Sequence, residues 1–284
     1  MSELKIGSTS PSELYIGSAE VDKVYLGSTL IYSAFDADAQ AYITAVEAAD
    51  VQTLEAGVKT AINDFVVGCK SDGIWAAIKA SAILAGARTL TGALVPLKGT
   101  APTNFNFVPG DYNRTTGLVG NGSSKRLDTS RNNNADPQDS NHNAVYITVA
   151  TSVNAQALIG ASNPFNEVGS NVMRIFNTSD LRHQSRRGSN VTTTVSSPGP
   201  PVGLVGHSRA ASGTYTVRGE SVNYSINSVS QATNNRNVAV FARTVDGGNY
   251  SSCRLAFYSI GEAIDLALLD TRVTNLINAY AAAI

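Results

Sequence analysis

The stretch DYNRTTGLVGNGSSKRLDTSRNNNADPQDSNHNAVYITV, Asp111 to Val149, separates two kinds of sequence. Before it, apolar residues recur at helical spacing. After it, they alternate or form short runs cut by Gly, Asn, Ser and Pro, the pattern of strands and turns. Inside it, Gly120-Asn121-Gly122 supplies positive φ cheaply, so Leu118-Val119 and Lys125-Arg126-Leu127 are expected to pair as a hairpin. Arg131 to His142 carries Asn132, Asn133, Asn134, Asp136, Asp139 and Asn141 with only Ala135 apolar, and is expected to be a solvated loop. Ala144-Val145-Tyr146-Ile147-Thr148-Val149 then reads as a strand. The whole stretch is the entry into a β-sandwich.

Downstream, strand-like segments follow at Ala157–Gly160, Val172–Phe176, Val191–Val195, Gly203–Gly206, Thr214–Val217, Val222–Ile226, Val238–Ala242 and Cys253–Tyr258. Turn residues separate them, which is the signature of a sandwich. From Glu262 to Ala282, Leu266, Leu269, Val273, Leu276, Ile277 and Tyr280 recur at three and four, so the chain closes with a helix, its early Asp265 and Asp270 suiting the helix dipole.

Upstream, Asp36 or Asp38 can cap a helix with Tyr42, Ile43 and Val46 on one face. Asp50 is expected to cap a second, through Leu54, Val58, Ala61, Ile62 and Phe65, and Asp72 a third, through Trp75, Ile78, Ile83 and Leu84, ending at Gly86 or Gly92. Trp75 reads as core packing rather than a sugar platform. This helical unit is a spacer or a layer over the sandwich. Pro96, Gly99, Pro102 and Pro109 mark a connector, and Phe105 and Phe107 alternate at the start of the β region.

The first 33 residues repeat. Leu4-Lys5-Ile6-Gly7-Ser8, Leu14-Tyr15-Ile16-Gly17-Ser18 and Val24-Tyr25-Leu26-Gly27-Ser28 stand in register every ten residues. Each is a short β segment and a Gly-Ser turn that cannot bury its apolar face alone. The reading is a docking arm with Tyr15, Ile16, Tyr25 and Leu26 as contacts, stacked in a homotrimer or laid on another protein. A plain meander packed on its own domain is the alternative.

These YIGS and YLGST units resemble those that open many tailed-phage virion proteins, often fibres, spikes or other tail-associated proteins. The segment from Asp111 to Val149 resembles the opening of a phage jelly-roll module of the concanavalin/laminin-G type. DFVVGCKSDGIWAAIKASAILAGARTLTGALVPLKGTAPTNFNF resembles what often precedes that module, and LAFYSIGEAIDLALLDTRVTNLINAY resembles its last strand and closing helix. The resemblance implies a virion structural protein of mainly β fold. Its parts would be a β-repeat docking arm at 1–33, a helical unit and connector at 34–100, and a jelly-roll sandwich with closing helix at 101–284.

Composition fits a structural role. The chain is 43% hydrophobic but only 15% charged, against about 25% in ordinary soluble domains. Asn, Ser, Thr and Gly must therefore supply much of the polar surface. Net charge is −1, so general attraction to nucleic acid is not expected. Ala150 to Ile260 holds nine arginines, no lysine and four acidic residues. Arginine favours bidentate contacts to carboxylate or sulfate groups. Cys69 and Cys253 are too few for a disulfide framework and read as partly buried thiols. No signal peptide and no membrane-spanning stretch is expected, so the protein is expected to be made in a cytoplasm, and the resemblance implies a virion assembled in the host cytoplasm.

Catalytic signals are weak. Gly206-His207-Ser208-Arg209-Ala210 lacks the second glycine of a nucleophile elbow. His142, His183 and His207 fall in separate segments expected to be loops, with no metal-ligand spacing. Asp136, Asp139, Asn141 and His142 offer calcium-type donors but match no fixed motif. A glycoside hydrolase needs two carboxyls about 5–10 Å apart, and Glu167, Asp180, Glu220 and Asp246 carry no distinctive context. The expectation is a non-enzymatic, tail-associated spike or fibre protein without cofactor or metal. It would bind host-surface polysaccharide through Asn132, Asn133, Asp136, His142, Arg182, Arg186 and Arg187, and other virion proteins through its arm. A capsid decoration or head-fibre protein is the first alternative, and a glycan-degrading enzyme on the same fold the second. The acidic helices of the chain itself are rival partners for the arginines.

Overall fold

The computed structural model describes residues 14–16, 19–21, 23–26, 29–151, 156–164, 167–177, 180–194 and 201–284. The first repeat, the glycines and serines at 17–18 and 27–28, and Val195 lie outside the described residues.

Two hairpins come first: β1 (Tyr15–Ile16) with β2 (Ala19–Glu20), and β3 (Lys23–Leu26) with β4 (Thr29–Ser33). Helices α1 (Ala37–Asp50) and α2 (Ala56–Ser71) follow, then β5 (Ile78–Ile83) and the one-turn α3 (Leu90–Ala93). The remaining strands are β6 (Thr103–Phe105), β7 (Tyr112–Asn113), β8 (Gly117–Val119), β9 (Arg126–Asn132), β10 (Asn141–Val149), β11 (Gln156–Ala161), β12 (Asn171–Phe176) and β13 (Asp180–Ser185). They continue with β14 (Val191–Thr194), β15 (Gly203–Arg209), β16 (Thr214–Gly219), β17 (Val222–Asn227), β18 (Asn237–Val240) and β19 (Arg254–Gly261), and α4 (Leu266–Ala283) closes the chain.

The strands form an antiparallel β-sandwich, as the turn-punctuated runs predict. One sheet has eight strands in the order β17-β16-β15-β10-β19-β8-β7, with β5 also paired to β19. The other has seven, β14-β13-β12-β11-β18-β9-β6. Alternate residues of the first sheet serve two cores. Val145, Ile147, Val205, Leu255 and Tyr258 face the second sheet and meet Leu158, Met173, Ile175, Leu181 and Val240. Ala144, Leu204, Ala256 and Phe257 face a helical layer formed by Tyr42, Ile43, Val58, Ile62, Phe65, Leu269, Val273 and Tyr280. The Phe65 and Phe257 rings pack edge to face at 5.8 Å. A register shift beside Ala256 moves Phe257 to the helical side next to Tyr146, while Leu255 stays inside next to Ile147. The helical unit is thus a cover for the sandwich, fixed at its edges by ion pairs. Arg114 forks onto Glu55 at 2.7 and 3.1 Å, and Arg272 onto Asp72 at 2.7 and 2.8 Å.

Four local expectations are corrected. Residues 75–77 form a single 3-10 turn and 78–83 a strand, not a third helix. Ala80 and Ala82 reach the sandwich core and Ile83 the helical core, as period two requires, and a register shift between Ala80 and Ile78 turns Ile78 to the helical core as well. Segment 34–100 therefore contributes a strand to the same sheet as segment 101–284. Asp36 caps α1, accepting from the Asp38 amide at 3.0 Å, but Asp50 ends α1 rather than capping α2. Its carboxylate instead accepts from the Arg88 and Thr89 amides at 2.6 and 2.8 Å. Leu118-Val119 and Lys125–Leu127 are not a hairpin: β8 pairs with β19, and β9 with β18 and β6 in the opposite sheet. Gly120-Asn121-Gly122 carries the chain across the sandwich edge. Finally, the polar run is not one loop, since β9 reaches Asn132, residues 133–135 make a 3-10 turn, and β10 starts at Asn141.

Trp75 packs on the helical core with its Nε1 donating to Asp38 at 3.1 Å, as core packing predicts. Both cysteines are free and buried. No described helix is long and apolar enough to cross a membrane. Phe257 carries the prediction for the fold. Phe257→Ala should cost about 3–5 kcal/mol, read from urea unfolding. A loss below about 1 kcal/mol would show that the helices do not cover this sheet.

Candidate functional site

Most of the polar residues expected to meet a sugar are inside the protein. Asn133, Asp136, His142 and Arg186 are each at most 4% exposed. Arg186 donates to Asn133 Oδ1 and, at 3.2 Å, to the Asp136 carbonyl, while Arg131 Nε holds Asp136 Oδ2 at 3.0 Å. These contacts fold the segment onto the sandwich end. The four side chains are braces, because a buried polar group is retained only where it is hydrogen-bonded. Asn132 is half-buried and donates to Asn235 at 2.7 Å, and Arg187 donates to Ser228 Oγ at 3.0 Å.

The three histidines sit in strands, not loops. His142 lies on the helical side of β10, its Nδ1 donating to the Glu262 carbonyl and its Nε2 accepting from Ser259 Oγ at 2.7 Å. His183 bridges Tyr215 Oη and Thr193 Oγ1, both at 2.8 Å. His207 donates from Nε2 to Asn171 Oδ1 at 2.5 Å. Burial pushes His142 down to about 4 and His183 to about 3, and holds His207 well below the ordinary imidazole range. Among the described residues, no group of three or more His, Cys, Asp or Glu side chains is placed to hold a metal ion.

Outward-facing arginines lie elsewhere, on the seven-stranded sheet. Alternation puts Met173, Ile175 and Leu181 inside, hence Arg174, Phe176 and Arg182 on the outer face. Arg174, Arg182 and Thr192 stand side by side across β12, β13 and β14, and Phe176 pairs with Asp180 one step along. The Arg182 guanidinium lies 3.1 Å from the Phe176 ring centroid, and that of Arg174 lies 6.0 Å from it. Arg174 is itself only 4% exposed and donates to Asn190 Oδ1 at 2.9 Å, so Arg182 is the more accessible of the two. Burial, then the charges of Arg182 and Arg243, push Arg174 down to about 10. The buried Nε of Arg182 has no hydrogen-bond partner among the described residues. Of the three arginines named from sequence, only Arg182 belongs to this row. Arg174 was legible through strand alternation. Arg243 was not, because it follows β18 in an irregular segment.

In the arm, Tyr15 and Ile16 form β1, while Tyr25 and Leu26 lie in β3. Ile16, Tyr25 and Leu26 are 76%, 55% and 70% exposed. Apolar side chains this exposed on a repeated ribbon fit a contact surface.

No protein-family model matches the sequence, and no curated protein matches it. Solved structures with a similar fold exist. The chain is similar to the Ruminococcus gnavus IT-sialidase CBM40 bound to α2,3-sialyllactose, at 9% identity and a TM-score of 0.38, over 48% of this chain and 83% of that one. It is similar to the botulinum neurotoxin serotype D binding domain, at 8% identity and a TM-score of 0.47, over 70% of this chain and about half (51%) of that one. It is also similar to domain 4 of AbnA, an extracellular arabinanase of Geobacillus stearothermophilus, in complex with arabinotriose, at 17% identity and a TM-score of 0.36, over 63% and 82%. At such identities the likeness is one of fold and transfers no site residue.

The buried histidines give a signed pH dependence. Their folded values lie below the ordinary 6.5, so the unfolded chain binds more protons. The stability that they contribute is complete above about pH 6.5 and declines as pH falls toward about 4 for His142 and about 3 for His183. Each should add a slope of up to about 1.4 kcal/mol per pH unit in that window. Urea midpoints from pH 7 to 4 read it, and a flat profile would contradict the burial of both rings.

Proposed function

We propose that this chain is a non-catalytic structural protein of a phage particle, tail-associated, which binds acidic polysaccharide on the host surface through the outer face of the seven-stranded sheet. The observation that carries the reading is the Arg182 guanidinium over the Phe176 ring on the outer face, with the largely buried Arg174 paired beside it. Guanidinium groups give forked contacts to carboxylate or sulfate, and an aromatic ring beside them gives an apolar sugar face somewhere to rest. The exposed Ile16, Tyr25 and Leu26 support an attachment arm, which joins a homotrimer to other virion proteins. Single sites would be weak, and several copies on one particle would gain by avidity.

A double variant, Arg174→Ala with Arg182→Ala, should weaken binding to a uronic acid or sulfated polysaccharide by about tenfold or more. Surface plasmon resonance at two salt concentrations measures this, and the wild-type response should fall with salt. Unchanged affinity with an intact fold would rule this face out. If the same polysaccharide became shorter on incubation, the protein would be an enzyme instead. Removal of residues 1–32 should leave a cooperatively folding sandwich that is no longer incorporated into particles. Normal incorporation, scored by immunoblot of purified virions, would refute the arm's role.

A further inference from the structure

Glu220 and Ser221 are the whole of the turn between β16 and β17, since Gly219 pairs directly with Val222. Both adopt left-handed backbone, with φ of 51° and 59°. Asn-Gly makes such a turn at least cost, and side chains with a Cβ are disfavoured there. A Glu-Ser turn is therefore strained, and strain of this kind gathers where a side chain is needed.

Both side chains are in use. Ser221 Oγ donates to Asp270 Oδ2 at 3.3 Å. The same carboxylate accepts from Arg218 Nε at 2.8 Å and from Thr274 Oγ1 at 3.1 Å, and Arg218 also donates to Asn223 Oδ1 at 2.8 Å. Arg218 and Asp270 are both under 9% exposed, so the pair locks the turn to α4. Glu220 leans the other way and accepts from the Val202 amide at 3.2 Å. Between them opens a pocket of about 460 Å³, whose walls include Tyr146, Thr148, Glu220, Ser221, Asp270 and Thr274. That volume is in the range of small-ligand sites.

The lining selects a ligand class. Glu220 and Asp270 accept hydrogen bonds, the aliphatic hydroxyls of Thr148, Ser221 and Thr274 line the walls, and Tyr146 supplies an aromatic surface. Arg218 is neutralised by Asp270, so Glu220 leaves the pocket negative. An acidic sugar is repelled, whereas an uncharged ring with adjacent hydroxyls suits the acceptors. We propose that this pocket is a second carbohydrate subsite that takes one neutral pyranose residue, with Glu220 and Asp270 accepting its hydroxyls and Tyr146 against its ring. It lies on the eight-stranded sheet beside α4, whereas the arginine row lies on the outer face of the other sheet. The chain is thereby bivalent, with an acid-reading face and a neutral-reading pocket.

The test titrates full-length protein with methyl glycosides of glucose, galactose, mannose and N-acetylglucosamine, followed by amide chemical shifts. Saturable shifts at Tyr146, Glu220, Ser221 and Thr274 are expected with at least one glycoside. Glu220→Gln should weaken that binding by about tenfold. Replacing the turn by Asn-Gly, through Glu220→Asn with Ser221→Gly, should abolish binding and keep or raise the melting temperature. The Arg174→Ala, Arg182→Ala variant should bind the neutral glycoside normally, which separates this proposal from the acidic-glycan reading. No saturable shift with any of the four, binding retained in the Asn-Gly variant, or a lower melting temperature for that variant would each overturn it.

Discussion

Strand β19 has almost no face left for solvent, and that constraint organises the molecule. Its inward side chains, Leu255, Tyr258 and Ile260, build the sandwich core, while Ala256 and Phe257 build the helical one. A strand buried on both sides needs a sheet on one side and another cover on the other. The first 100 residues supply much of that cover as α1 and α2, α4 supplies the rest, and β5 extends the same sheet at the edge of β19. The helices are therefore part of the condition under which the eight-stranded sheet is stable, not a spacer before it.

The polar residues divide by the same logic. Those beside the turns at the sandwich end, Asn133, Asp136 and Arg186, are drawn inside and hydrogen-bonded to one another and to Arg131, Gly169 and Asn234. A buried arginine without such partners would cost far more than its packing returns. Along β12 and β13 of the seven-stranded sheet, strand alternation instead sets Arg174 and Arg182 side by side on the outer face. The proposed neutral-sugar pocket arises differently. There one face of α4, a hairpin turn and a strand end meet without filling the space between them, and the Arg218–Asp270 pair ties the turn to the helix.

The sequence determined the class of the fold. Short apolar runs between turn residues specify strands whatever their neighbours, and the three-and-four spacing around Leu269, Val273, Leu276 and Tyr280 specifies the closing helix. Asp36 at the start of α1, the two unpaired thiols and the ten-residue repeat were also legible, being local or compositional.

Only the tertiary structure decided which sheet each strand joins and which polar side chain sees water. Ile78–Ile83 is apolar enough for a helix or a buried strand, and the free edge of β19 settled it as a strand. Leu118 and Leu127 flank an Asn-Gly turn yet lie in opposite sheets, because their partners come from more than a hundred residues later. Burial of His142 and Arg186, and the meeting of Glu220 with Asp270 around one pocket, likewise depend on residues distant in the chain. Local pattern fixes backbone conformation because its forces act over a few residues. Solvent exposure is a property of the assembled surface, and no short window of sequence contains it.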